Sequence, residues 1–246
     1  MITTVIFDID GTLYDYKSAN AAAMEAIGNY ALEQFGWDAE TFQKNHKDAY
    51  DRLIAATRGT AAGHDRLIRY TMMMEKQGLP LSHAKAMSDL YWKTLLANAK
   101  VFPGVKDAFA ALRQEGYRIG IGTNMTAYVQ YLKLEQFGLL DLVDFIVTSE
   151  ETENEKPGAA VFERCLERGG CTAEQCVFVG DELKKDVRGA QAVGMHALLF
   201  DPKRTYKRTS DDQDDIILFE KYQELVPLIR TFICERDTAY RAGADT

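Results

Sequence analysis

The sequence predicts an α/β protein: a doubly wound, mostly parallel sheet with an inserted helical bundle. Two observations lead to this fold. Short β-branched, apolar runs recur at the N-terminus and again from residue 117 onward, separated by amphipathic stretches that end in glycine. Residues 16–99 break that alternation, holding helical patterns with no strand between them. Strands that alternate with helices form parallel βαβ units, because a parallel neighbour is reached only by a crossover long enough to hold a helix.

The run ITTVIFDID, residues 2–10, is β-branched and aromatic, stops at Gly11 and reads as the first strand. Residues 19–36, 39–57, 64–78 and 82–99 are amphipathic, with breaks at Gly36, Gly59 to Gly63 and Gly78 to Pro80, so a four-helix insertion is expected. Met72 to Met74 are read as packing for that bundle. Further strands are expected at 117–123, 142–149, 176–181 and 195–200, with helices over 105–116, 125–138, 158–170 and 182–194. A charged loop over 202–215, a short strand at 215–219 and a helix over 220–233 complete the core, and residues 236–246 read as a frayed tail. The expected domains are a catalytic core of residues 1–15 and 100–246 and a helical cap of residues 16–99.

Composition narrows the function. The 246 residues are 46% apolar and 27% charged, with no apolar run long enough to span a bilayer, so no membrane partner is expected. A net charge of −8 argues against nucleic acid, which needs a basic surface. The N-terminus lacks the basic flank and cleavage site of a secretory signal, which points to the cytoplasm. Cys165, Cys171, Cys176 and Cys234 match neither a disulfide framework nor a zinc pattern and read as small core residues. His196, inside an apolar run, also reads as packed core. No sequence feature indicates an oligomeric state.

The chemistry is expected at the strand ends. In an extended chain residues i and i+2 share a direction, so Asp8 and Asp10 can face one site beyond the first strand. Gly11 and Thr12 allow a sharp turn whose amides can approach an anion. The strand at 117–123 ends in Thr123 and Asn124, a hydroxyl and an amide suited to phosphoryl oxygens. Lys156 follows the next strand, and Asp181, Glu182 and Asp186 follow the one after, adding carboxylates for a hard cation such as Mg²⁺. Four strands thus deliver polar groups to one edge.

This ordered set, DIDGT, Thr123, Lys156 and GDELKKD, resembles the haloacid dehalogenase superfamily, whose phosphatases pair a Rossmann-like core with a helical cap at the position of this insertion. The resemblance implies Asp8 as nucleophile and Asp10 as general acid and base. It further implies Thr123 and Lys156 as phosphoryl ligands, and Asp8, Asp10 through its backbone carbonyl, and Asp181 as Mg²⁺ ligands. Either Glu182 or Asp186 would complete the metal shell. The implied activity is hydrolysis of a small phosphate ester, a nucleoside monophosphate or a sugar phosphate, through an aspartyl-phosphate. A phosphomutase of the same superfamily and a non-catalytic, receiver-like phosphate-binding protein are the alternatives. Within the cap, the break at 58–69 supplies Arg58, His64, Arg66 and Arg69, of which His64 and Arg66 are the candidates for substrate selection.

Overall fold

The computed structural model describes residues 1–207 and 216–232. Six parallel strands form one sheet: β1 (Thr4–Phe7), β2 (Arg118–Thr123), β3 (Phe145–Thr148), β4 (Cys176–Gly180), β5 (His196–Phe200) and β6 (Ile217–Phe219), in the order β3-β2-β1-β4-β5-β6. β1 is central. Phe7 pairs with Ile121 of β2 and Val179 of β4, so the three chains reach the same edge of the sheet together. The central strands β1 and β4 are buried along their whole length, as parallel strands under crossover helices must be. Val5, Phe7, Ile121 and Val179 pack on one side, and Ile6, Phe178 and Val147 on the other.

Four helices intervene between β1 and β2 before the core resumes: α1 (Tyr16–Phe35), α2 (Ala39–Thr57), α3 (Arg66–Gln77) and α4 (Ser82–Asn98). Asp15, Asp38 and Asp65 cap the first three by accepting backbone N–H bonds. Of the three methionines expected to pack the bundle, Met73 and Met74 are buried and Met72 is half-buried. The two strands of chain joining bundle and core run side by side, with Asp15 N–H donating to the Lys100 carbonyl (3.2 Å) and Phe102 N–H to the Leu13 carbonyl (2.9 Å). The core helices are α5 (Val105–Gln114), α6 (Ala127–Phe137), the single turn α7 (Ser149–Thr152), α8 (Ala159–Gly169) and α9 (Arg188–Ala192). Residues 225–232 are also helical. No described helix is long and apolar enough to cross a membrane.

Several expected boundaries shift. The first strand ends at Phe7, so Asp8 and Asp10 lie in the loop beyond it. The third begins at Phe145, because Leu140–Leu142 forms a 3₁₀ turn. The expected helix over 182–194 opens as a π-helical turn, Leu183–Val187, in which the Asp186 carboxylate accepts the Glu182 N–H at 2.9 Å. His196 is only half-buried, its ring 4.8 Å from that of Phe232. Cys165 and Cys176 are buried thiols, whereas Cys171 is half-buried with its sulfur 3.0 Å from that of Cys176. Cys234, the tail and most of the charged loop lie outside the described residues.

Candidate active site

A cleft of about 770 Å³ separates the sheet edge from the cap and is lined by Asp8, Asp10, Thr123, Asn124, Lys156 and Asp181, among others. Lys156 organises its floor. Its buried ammonium donates to the Gly122 carbonyl (2.9 Å) and Asp186 (2.7 Å) and lies 2.9 Å from Asp8. Three acceptors match the three donors of an ammonium. Burial alone would lower the pKa of Lys156, but Asp186 and Asp8 outweigh it and raise the value. Asn124 fixes the lysine from behind: its carbonyl oxygen accepts the Lys156 N–H at 2.9 Å, and its amide donates to the Lys156 carbonyl at 3.4 Å.

Carboxylates crowd this lysine. Atoms of Asp8, Asp181 and Asp186 that can bind a metal lie within 4.8 Å of one another. Burial, with Asp8, Asp186 and Glu182 nearby, pushes the Asp181 carboxyl up to about 8, and burial also raises Asp8, with Asp186 and Asp10 adding to the effect. Such a cluster is relieved by a cation, and an all-oxygen donor set suits a hard one. Glu182 is not among the three; it is exposed and lies 2.9 Å from Lys185. Gly11 allows the packing: at φ +87° it holds a conformation glycine tolerates, and a Cβ there would fall 2.3 Å from an Asp181 oxygen. The Thr12 hydroxyl donates to Asp181 at 3.3 Å, and neither Gly11 nor Thr12 lines the cleft.

Asp10 is held separately. Although it opens on the same cleft as Asp8, its two oxygens accept from Lys133 at 2.6 and 2.7 Å, and Tyr14 and Gln130 (3.3 Å) donate to it as well. The Asp10 side chain is therefore turned to a lysine of its own. Burial would raise the Asp10 carboxyl, but Lys133, Tyr14 and Gln130 together hold it below the usual carboxylate range. Thr123, 1% exposed at the end of β2, accepts from the same Gln130 amide at 2.9 Å.

Sequence reasoning missed Gln130 and Lys133. Both are fully buried on α6, sharing its inner face with Leu134 and Phe137. A charged residue at a core position of an amphipathic helix is the available signal, since burial of a lysine demands a partner. Of the cap candidates, His64 lines the cleft, and its Nε2 lies 2.7 Å from a carboxylate oxygen of Glu155, in the loop after α7. Arg66 is buried in the cap wall, donating to the His64 carbonyl (2.7 Å) and the Tyr91 hydroxyl (3.0 Å). Arg58 is exposed outside the cleft, whereas Arg69 and His46 line it.

A cap over a parallel sheet, with carboxylates and a lysine at the strand ends, defines a hydrolase of the haloacid dehalogenase type. The chain matches the haloacid dehalogenase-like hydrolase family over residues 2–194 and belongs to it. It is 38% identical over 205 residues to the ribulose-1,5-bisphosphate 5-phosphatase of Halopiger xanaduensis, covering 82% of this chain and 86% of that protein. It is 31% identical to the glyceraldehyde 3-phosphate phosphatase of Methanothermobacter thermautotrophicus, covering 83% and 88%. A solved phosphatase of the family from Thermococcus onnurineus superposes with a TM-score of 0.69 at 26% identity, covering 93% of this chain and 98% of that one. Within the family, the chain stands with the phosphoric monoester hydrolases.

Proposed function

We propose that the protein is a Mg²⁺-dependent phosphatase that hydrolyses a small phosphorylated metabolite through an aspartyl-phosphate on Asp8. A sugar phosphate is favoured over a nucleoside monophosphate, because the Halopiger and Methanothermobacter relatives are named as phosphatases of phosphorylated sugars. The observation that carries the mechanism is the Lys156 ammonium set between Asp8 and Asp186, with Asp181 alongside. The free thiols of Cys165, Cys171 and Cys176 fit a reducing, cytoplasmic setting.

Asp8, Asp181 and Asp186 would hold the cation with the Asp10 carbonyl, and the bound ion would offset repulsion between phosphate and carboxylate. An Asp8 oxygen attacks phosphorus, and the bond from phosphorus to the ester oxygen breaks as the new one forms. Lys156 and Thr123 bind the phosphoryl oxygens, with Asn124 holding Lys156 in place. Asp10 protonates the leaving oxygen and then takes a proton from the water that cleaves the aspartyl-phosphate, restoring Asp8 and releasing phosphate. As the base it is ready in the ionised form Lys133 favours; as the acid it must first gain a proton, which an incoming phosphate dianion promotes by raising its pKa. A phosphomutase would need to keep water from the aspartyl-phosphate, and no feature of the cleft favours that reading.

The test is phosphate release from an aryl phosphate with Mg²⁺, using Asp8→Asn as the blank. Release should vanish in the variant and on chelation of the metal. Full activity in Asp8→Asn, or none in the parent protein, would defeat the proposal.

A further inference from the structure

The cap wall of the cleft carries charge that the proposed chemistry does not use. Arg66 and Arg69 are each 5% exposed and line the same cleft as Asp8 and Lys156. Among the described residues neither guanidinium forms an ion pair. Arg66 donates to the His64 carbonyl and Tyr91 hydroxyl and lies 4.6 Å over the Tyr91 ring. Arg69 donates to the Gly63 carbonyl at 3.3 Å and lies 4.7 Å over Tyr50, and its buried Nε has no partner. Neutral acceptors and ring faces satisfy donors without cancelling charge, so two cations are buried side by side uncompensated. Burial and the neighbouring Arg66 push Arg69 down to about 10. Asp65 caps α3, and the Glu155 carboxylate lies against His64, with 2.7 Å between Oε1 and Nε2. His46 also lines the cleft with an unpartnered, buried Nε2.

We infer that Arg66 and Arg69, with His46, form a subsite for a second anionic group of the substrate, a carboxylate or a phosphate remote from the one hydrolysed. The inference rests on the phosphatase reading and specifies its substrate class: small phosphate esters with an anionic tail. A guanidinium presents donors in a planar fork that matches either anion. A cleft of about 770 Å³ has room for a metabolite that reaches from Lys156 to the cap.

The experiment compares kcat/KM for a pentose 5-phosphate, the matching pentose 1,5-bisphosphate and a phosphorylated hydroxy acid, in the full chain and in Arg69→Gln and Arg69→Lys. One of the two anionic-tailed esters should exceed the pentose monophosphate at least tenfold. That advantage should collapse through KM in Arg69→Gln and return in part in Arg69→Lys. Equal efficiency for all three esters, or an advantage that survives in folded Arg69→Gln, overturns the subsite. A second arm needs neither turnover nor a variant: calorimetry on the unaltered protein with Mg²⁺ should show an α,ω-alkyl bisphosphonate binding at least tenfold more tightly than an alkyl monophosphonate, and equal affinities overturn the subsite. Loss of aryl phosphate hydrolysis in the parent protein sinks the phosphatase reading alone, because the binding arm is read independently.

Discussion

Replacing Lys133 with methionine tests whether the lysine holds Asp10 ionised. The side chain is fully buried, and its ammonium contacts both Asp10 oxygens at 2.6 and 2.7 Å. Methionine fills similar space but leaves the carboxylate, among the described residues, with the Tyr14 and Gln130 donors. Breaking a buried pair by removing one partner costs about 3–5 kcal/mol. Asp10 can escape part of that cost by taking a proton, so the deficit should depend on pH. In the parent protein the Asp10 pKa is held below its unfolded value, so its stabilising contribution is present above about pH 4 and lost as pH falls further. In Lys133→Met burial prevails and the pKa rises, so the relative penalty grows with pH until it passes the new folded value. Urea unfolding at pH 5, 6, 7 and 8 should show a deficit that widens by at most about 1.4 kcal/mol per pH unit. Adding Asp10→Asn to the variant should remove the slope. A deficit that is flat from pH 5 to 8, or a slope that persists without the Asp10 carboxylate, would refute the reasoning.

Two further outcomes concern the cation. Because Asp181 is pushed up to about 8, it carries a proton at pH 7, and Mg²⁺ binding should release about one proton there and tighten with rising pH. Calorimetry in buffers of different ionisation enthalpy measures this, and a buffer-independent enthalpy would contradict it. Asp186→Asn should cut kcat/KM at least 100-fold, because it removes a candidate metal ligand and a Lys156 partner, losses worth about 3 kcal/mol or more. Glu182→Gln should stay within about threefold, since that exposed side chain pairs with Lys185 alone among the described residues and exposed pairs contribute about 0–1 kcal/mol. Equal losses in the two would place the metal shell on the wrong residue.

The sheet was legible because parallel strands are nearly continuous apolar runs, and β2, β4 and β5 lie within a residue of where those runs place them. The boundaries that moved did so where polar chemistry overrides propensity. Asp186 draws the chain after β4 into a π turn, and the loop after Phe7 gives each aspartate its own lysine rather than one shared direction. Asp8, Lys156 and Asp181 could be found because they sit at strand ends, where an apolar run stops abruptly at a charge. Lys133, Gln130 and Arg69 sit inside amphipathic helices, where a polar residue ordinarily means a solvated face. Their burial is fixed by the partner across the fold, and that pairing is a tertiary fact.

The two halves of the cleft carry opposite imbalances. On the core side one lysine serves two carboxylates and a third lies within 4.8 Å, so negative charge is in excess. On the cap side two buried guanidiniums form no ion pair among the described residues, so positive charge is in excess. The halves do not neutralise each other directly, because the cavity lies between them. A cation against the core and an anionic tail against the cap would correct both imbalances, with the scissile phosphate spanning the gap. A ligand charged at both ends would then be favoured, and an ester with a neutral tail would correct only one side. Selectivity would then follow from charge that each side of the cleft leaves uncompensated, before any detail of shape is considered.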